Sequence, residues 1–279
     1  MSRALSRFVP RFELALGSVL VGALVLLGLA GKAWVGLDPM EGNLMARFTP
    51  PDAANLLGTD NLGRDLFARV LAGLRWSLSA ALLATGAAAV IGTTLGLLAA
   101  ETEGWARRWV LGSIDLVLAF PGLVAAIVVI AVVGQGFWPL VLTLGLLSWP
   151  VFARVVYAES LKLLAQNYVL AARLSGAGSA AILIGHLLPA LKGTLAVMLA
   201  FHFADMLIAE SALSFLGLAA PLGEPTWGNM LAESRPHLFR APWMLFVPAG
   251  AIVLVVVAAN LVGDGLARTV DPSGSTSLN

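Results

Sequence analysis

Four side chains that could move a proton or attack a carbonyl, His202, Asp205, Glu210 and Ser211, sit in one apolar run between Gly193 and Leu218. An acidic residue near a bilayer centre costs ~2.5–3.5 kcal/mol on insertion scales, so none of them should face lipid. His202 and Asp205 are three positions apart, on one helix face, where they can pair. Two readings stay open: an internal polar pair that fixes helix packing, or a lining for a solute path that favours cationic or metal-chelating cargo. Met198, His202 and Met206 share a face as well, but two thioethers and one imidazole read as packing, and no metal site is assigned. Hydrolysis by Ser211 with His202 is set aside, because no glycine turn for an oxyanion adjoins them. A proton-driven secondary transporter using His202, Asp205 and Glu210 is a further alternative; it predicts an inverted repeat, and none is visible. The chain has no glycine-rich phosphate loop ending in Lys-Ser or Lys-Thr, so it cannot handle ATP by that route.

The elements that must position these residues are membrane spans. Of 279 residues 59% are hydrophobic and 12% charged, about half the charged share of a soluble domain, and the mean hydropathy is +0.89. A net charge of +1 with no block of like charges offers nothing to nucleic acid, and the absence of cysteine removes disulfide, thiolate and Cys-ligated metal chemistry. Apolar runs lie at Leu14 to Gly36, Trp76 to Ala100, Leu111 to Val133, Phe137 to Tyr157, Gly193 to Leu218 and Trp243 to Val262, each near the ~20 residues of a helical span. They are apolar all round rather than alternating, which selects helices over barrel strands. The first run follows Arg3, Arg7 and Arg11 as a secretory signal would, with a faint cleavage-like Ala30 to Ala33, but its length favours a retained span.

Six spans put both termini on one side. Ten Lys and Arg residues fall on the face holding the termini, Ala100 to Leu111 and Arg154 to Lys192, against seven on the other, which predicts the first face as cytoplasmic. The expected division is 1–75, an N-terminal span with an external segment, and 76–279, a five-helix core interrupted by a loop at 158–192. That loop is long for a helix connection and has no run able to cross a bilayer. From Tyr168 to Pro189 it reads as a short helix through Ala171 and Ala172, a break at Gly176 to Gly178 and a second short helix. Ser179 is expected to cap the second helix and Pro189 to stop or redirect the chain.

The stretch resembles the cytoplasmic signature loop of ABC importer permeases, where a Glu-Ala-Ala triplet is followed by Gly and later by Pro. Ala171, Ala172, Gly176, Ala177, His186 and Pro189 match it, with Tyr168 and Arg173 in the same segment; the acidic position is Leu170, a departure that alters the polar contact to the ATPase. Leu56 to Leu78, ESALSFLGL at Glu210 to Leu218, PTWGNML at Pro225 to Leu231, AFPGL at Ala119 to Leu123 and NLVGDGLARTVDP at Asn260 to Pro272 resemble, in order, landmarks of the C-type permease of dipeptide, oligopeptide and nickel importers. The resemblance implies an all-α type I importer permease with six transmembrane helices, multi-pass in the bacterial cytoplasmic (inner) membrane. It implies a second homologous permease chain, two cytoplasmic ATPases and an extracytoplasmic solute-binding protein as partners, with ATP and Mg held by the ATPases and no cofactor in this chain. The elbow Tyr168 to Pro189 would be the coupling loop. Gly58 and Gly63 permit turns, Asp60 and Asp65 can accept backbone N–H groups at a helix start, and Arg64 can pair with either. These residues are read either as a structural cap or, with Trp227 and Asn229, as the landing surface for the binding protein. Cargo stays open between peptides, glutathione, nickel and metal-chelator complexes.

Overall fold

Most of the described residues are helical, as the composition demands, since a backbone in hydrocarbon must satisfy its own N–H and C=O groups. The computed structural model describes residues 13–270 apart from 21, 24, 25, 28–37 and 222. Among them no strand forms beyond two isolated bridges, Gly42 with Arg64 and Thr59 with Asp65.

Helix α1, Leu66–Glu101, starts where Asp65 accepts a hydrogen bond from the Ala68 amide at 2.9 Å, and so begins ten residues before the apolar run suggests. Every fourth residue along it, Ala80, Ala84, Ala88, Gly92 and Gly96, is small and buried. That stripe lets helix α4, Phe137–Leu164, approach to backbone contact: a methyl added to Gly92 would lie 2.4 Å from the Trp149 carbonyl, and one at Gly96 2.6 Å from that of Ala153. The end of α1 is tied by Arg107, whose Nε donates to the carbonyls of Thr102 (2.8 Å) and Ala99 (3.1 Å).

The run expected as one third span is two helices, α2 Trp105–Leu118 and α3 Gly122–Val133, bent by 89°. Pro121 lacks an N–H and disfavours helical geometry in Phe120 before it, so the ladder breaks there. Pro150 in α4 and Pro248 in α9, Trp243–Val270, leave their helices continuous. After α4 come α5, Asn167–Leu174, and α6, Ser179–Ala190; then α7, Lys192–Phe215, and α8, Trp227–Ser234, before α9. Four helices, α1, α4, α7 and α9, are long and apolar enough to span, and the bent pair makes a fifth. The first run, expected at Leu14 to Gly36, lies partly outside the described residues, as do Arg3, Arg7, Arg11 and the Ala30 to Ala33 stretch. Its described positions 13–20, 22, 23, 26 and 27 are helical and lie on α9, where Gly17 meets Val262 and Glu13 pairs with Arg268 at 2.9 Å.

The main core packs α1, α4, α7, α8 and α9 around Leu66, Leu140, Leu207, Leu213 and Trp227. One end of the bundle carries α5 and α6, and is called the elbow end below. The other carries residues 38–65 and α8, and is called the cap end; there the Gly136 amide donates to Ala219 O at 3.0 Å and closes the α3–α4 turn against the end of α7.

Candidate functional site

The elbow has two faces. Val169 of α5 and Ile182 and Leu187 of α6 are buried with Leu97, Val156 and Leu191, which plugs the loop into the ends of α1, α4 and α7. Tyr168, Leu170, Ala171, Leu174 and Ile184 are exposed, Leu174 to 90%. Large apolar side chains held in water on an anchored loop mark a contact surface. Between the two helices Gly176 has φ +89°, a left-handed turn favoured by glycine, with open space around it. Arg173 reaches back to Glu101 at the end of α1 at 2.6 Å, and the Tyr168 ring stacks over His186 with centroids 6.4 Å apart.

Two expectations for the elbow are corrected. The N-cap of α6 is Gly178, and Ser179 makes no capping bond. Pro189 does not stop the chain: α6 widens into a π turn over Leu183–Leu187 and continues through Pro189. The wider turn shifts the preceding carbonyls away from a ring that cannot donate to them. Ala172, Ala177 and His186 are half-buried, and Pro189 is exposed.

At the cap end the two polar landmarks of the sequence are brought together. Asp60 is 0% exposed and its carboxylate accepts from the amides of Leu62 (2.8 Å) and Arg64 (2.9 Å), from Arg64 Nε at 2.6 Å and from Arg69 Nη1 at 2.7 Å. Glu233 of α8 completes the cluster, 2.6 Å from Arg69 and 3.0 Å from Arg64. Two guanidinium groups and two carboxylates neutralise one another where an unpaired charge would be prohibitive. Gly63, with φ +72°, turns the chain so tightly that a methyl there would meet the Asn43 backbone. Trp227 is buried against α1: its Nε1 donates to Val70 O at 3.0 Å, and Gly73 leaves room for the ring. Trp243 clips the loop to α9 by donating to Thr59 O at 3.1 Å. Asn229 is also buried and donates to Pro221 O and Glu224 O.

Asp60, Arg64, Trp227 and Asn229 thus face inward, and Asp65 caps α1. Exposed apolar side chains of the same segments include Leu44, Met45, Leu56 and Phe239. Arg69 and Glu233 were missed by sequence reasoning. The signal was present, a charge of each sign at the ends of otherwise apolar segments, but nothing linear joins them.

On α7 the expected pair does not form. His202 is buried with its ring edge-on to Phe152 of α4, centroids 5.0 Å apart, while Asp205 is exposed, and no hydrogen bond or ion pair joins them. Met206 turns to α4 and accepts from Ser148 Oγ at 3.5 Å. Glu210 is fully buried and accepts from the hydroxyls of Ser214 (2.9 Å) and Ser211 (3.2 Å), close to where Gly228 of α8 presses on α7. Of the four polar residues read from this run, Asp205 alone is exposed. Its position along α7 is ~20 Å from the Lys192 end and ~15 Å from the Phe215 end, at ~1.5 Å per residue. No three His, Asp or Glu side chains converge as a metal site would need among the described residues.

Fold and sites together define a class: a multi-pass helical membrane protein, packed on small-residue seams, with an anchored loop that exposes apolar side chains at one end. Residues 92–274 match the family described as the binding-protein-dependent transport system inner membrane component. The chain belongs to that family. It is the permease subunit of an ABC importer, an inner-membrane transport component rather than an enzyme, of a kind that works with a partner permease, an ATPase and a binding protein. A glutathione transport system permease protein of Pectobacterium atrosepticum is 42% identical over 80% of this chain and 74% of its own. A Brucella suis protein whose name assigns it provisionally to the peptide permeases is 36% identical over 98% of this chain and 91% of its own. A dipeptide transport system permease protein of Alkalihalophilus pseudofirmus is 32% identical over 92% and 84%.

Proposed function

We propose that this chain lines half of the translocation path of an importer for peptides or related small solutes, the other half coming from a second, homologous permease. The elbow carries the reading: a loop plugged into the ends of three spans by Val169, Ile182 and Leu187, yet offering Leu170, Leu174 and Ile184 to another protein, is built to pass a push from outside the membrane to the bundle. Two ATPases, which bind ATP and Mg, grip this surface. With Leu170 at the acidic position of the signature loop, the grip near Tyr168 is apolar, and Arg173 is held by Glu101. The elbow end and both termini face the cytoplasm.

The cap end receives the binding protein. Asp60, Arg64, Asp65, Trp227 and Asn229 shape and stiffen this surface from within, and Leu44, Met45, Leu56 and Phe239 meet the partner. Asp205 lines the path, since a carboxylate exposed at mid-span requires water or a partner chain beside it. Buried His202, Glu210 and Ser211 hold α7 against α4 and α8 and set the direction in which Asp205 points. Peptide and glutathione cargo is supported by the names of the relatives, which carry those substrates.

The test is uptake by proteoliposomes holding the complete complex. Labelled dipeptide or glutathione should accumulate with the binding protein outside and ATP inside. Accumulation on a proton gradient without ATP would reject the reading.

A further inference from the structure

Beside the first helix, whose described residues from Glu13 pack on α9, lies an apolar groove of about 540 Å³. Its walls are single stripes of each helix. Ala196, Leu199, Ala200 and Phe203 come from α7, and Val255, Ala259, Val262 and Leu266 from α9. Leu78 and Leu82 of α1 and Ser18 and Gly22 of the first helix complete it. The rim is open sideways: Ser18, Gly22 and Leu82 are exposed, Leu82 to 63%. Polar groups contribute almost nothing to the lining, and the depth of the groove falls within the apolar spans.

We propose that this groove binds one acyl chain of an anionic phospholipid from the leaflet at the elbow end. Three observations select that occupant. From Val255 to Leu266 the groove runs ~16 Å at ~1.5 Å per residue, which matches half of a ~30 Å hydrocarbon core and so the reach of a chain from one leaflet. The small residues Ala196, Ala200 and Ala259 leave room along α7 and α9 for an unbranched chain.

The third observation is charge. One turn beyond the lining, on the stripe of α7 that holds Ala196 and Ala200, stands Lys192, exposed and without a salt bridge among the described residues. Arg268, among the described residues the other cation at that end of the groove walls, is already held by Glu13. Lys192 therefore sits where a phosphate headgroup would emerge. It is also the first residue of α7, joined to the elbow through Leu191, so the lipid would bear on the junction between loop and span.

Native mass spectrometry of the complex purified with its partner subunits tests this, using palmitoyl-oleoyl phosphatidylglycerol and the matching phosphatidylcholine as probes. The wild type should retain one more lipid than Ala200→Trp, whose indole fills the groove through open space. Lys192→Gln, a surface change that leaves the packing intact, should lower the preference for phosphatidylglycerol by about fivefold, the effect of one basic residue at a membrane surface. Equal lipid retention by wild type and A200W, an unchanged headgroup preference in K192Q, or a cross-link from Leu82 to a helix of another subunit would each overturn the proposal.

Discussion

Arg69 is 1% exposed and answers two carboxylates, one on its own side of the fold and one from α8. Removing one partner of a buried pair leaves an uncompensated charge, which costs ~3–5 kcal/mol, and here Arg64 would recover part of it. Arg69→Met should therefore destabilise the purified complex by about 3 kcal/mol in thermal unfolding, and adding Asp60→Asn should restore part of the loss. A midpoint unchanged in Arg69→Met would mean that the cap is not held by this cluster. Asp205 has the opposite character: it is exposed, makes no hydrogen bond or ion pair among the described residues, and on the proposed function faces the solute path. Asp205→Asn should leave folded abundance unaltered and lower uptake by about tenfold, the worth of one charge-assisted hydrogen bond. A loss of folded protein with normal transport per molecule would place it in packing instead.

At the scale of elements the proposed function makes the elbow the moving part and Gly176 its joint. No atom crowds that position, so a side chain there is opposed only by the backbone, at ~1–2 kcal/mol for a left-handed residue. Gly176→Val should keep the subunit inserted and assembled while ATP hydrolysis continues with reduced uptake; transport at the wild-type rate would mean that the turn does no work. The seam between α1 and α4 is a different kind of contact. Gly92 and Gly96 bring the two backbones together over many residues, so these helices should move as one body with the plug of the elbow between their ends.

For the whole molecule, the proposed orientation puts the charged cap outside and the elbow inside. The chain has no cysteine, so single-cysteine variants report without background. Met45→Cys, at 95% exposure in the cap loop, should react with a membrane-impermeant maleimide in intact spheroplasts, and Leu174→Cys only after the membrane is opened. The reverse pattern would invert the topology. On the proposed function the bundle rocks about the path side of α7 while α9 and the first helix stay toward lipid. The acyl groove lies on that quieter side, consistent with a lipid that steadies the bundle rather than competing with cargo.

Length, apolar character and local caps made most of the helices legible. A run of ~20 apolar residues can do little else in a bilayer than form a helix, and an aspartate before such a run caps its neighbours' amides wherever the helix goes. The elbow was readable for the same reason: too polar to span, broken at glycines, and anchored by a few apolar residues. Proline shows where that reading ended. Pro121 gives an 89° bend, Pro150 and Pro248 sit in continuous helices, and Pro189 rides on a π turn. The residue is the same in each case, and the outcome differs with its place in the packed helices. Pairing across long separations was likewise invisible. Arg69 finds Glu233 164 residues away, and His202 turns to Phe152 rather than to the aspartate one turn along its own helix. Local sequence determined where helices form because their hydrogen bonds close within four residues. Which charges meet, and which face of α7 is left open, depended on how those helices pack, and that is fixed by side chains distant in the chain.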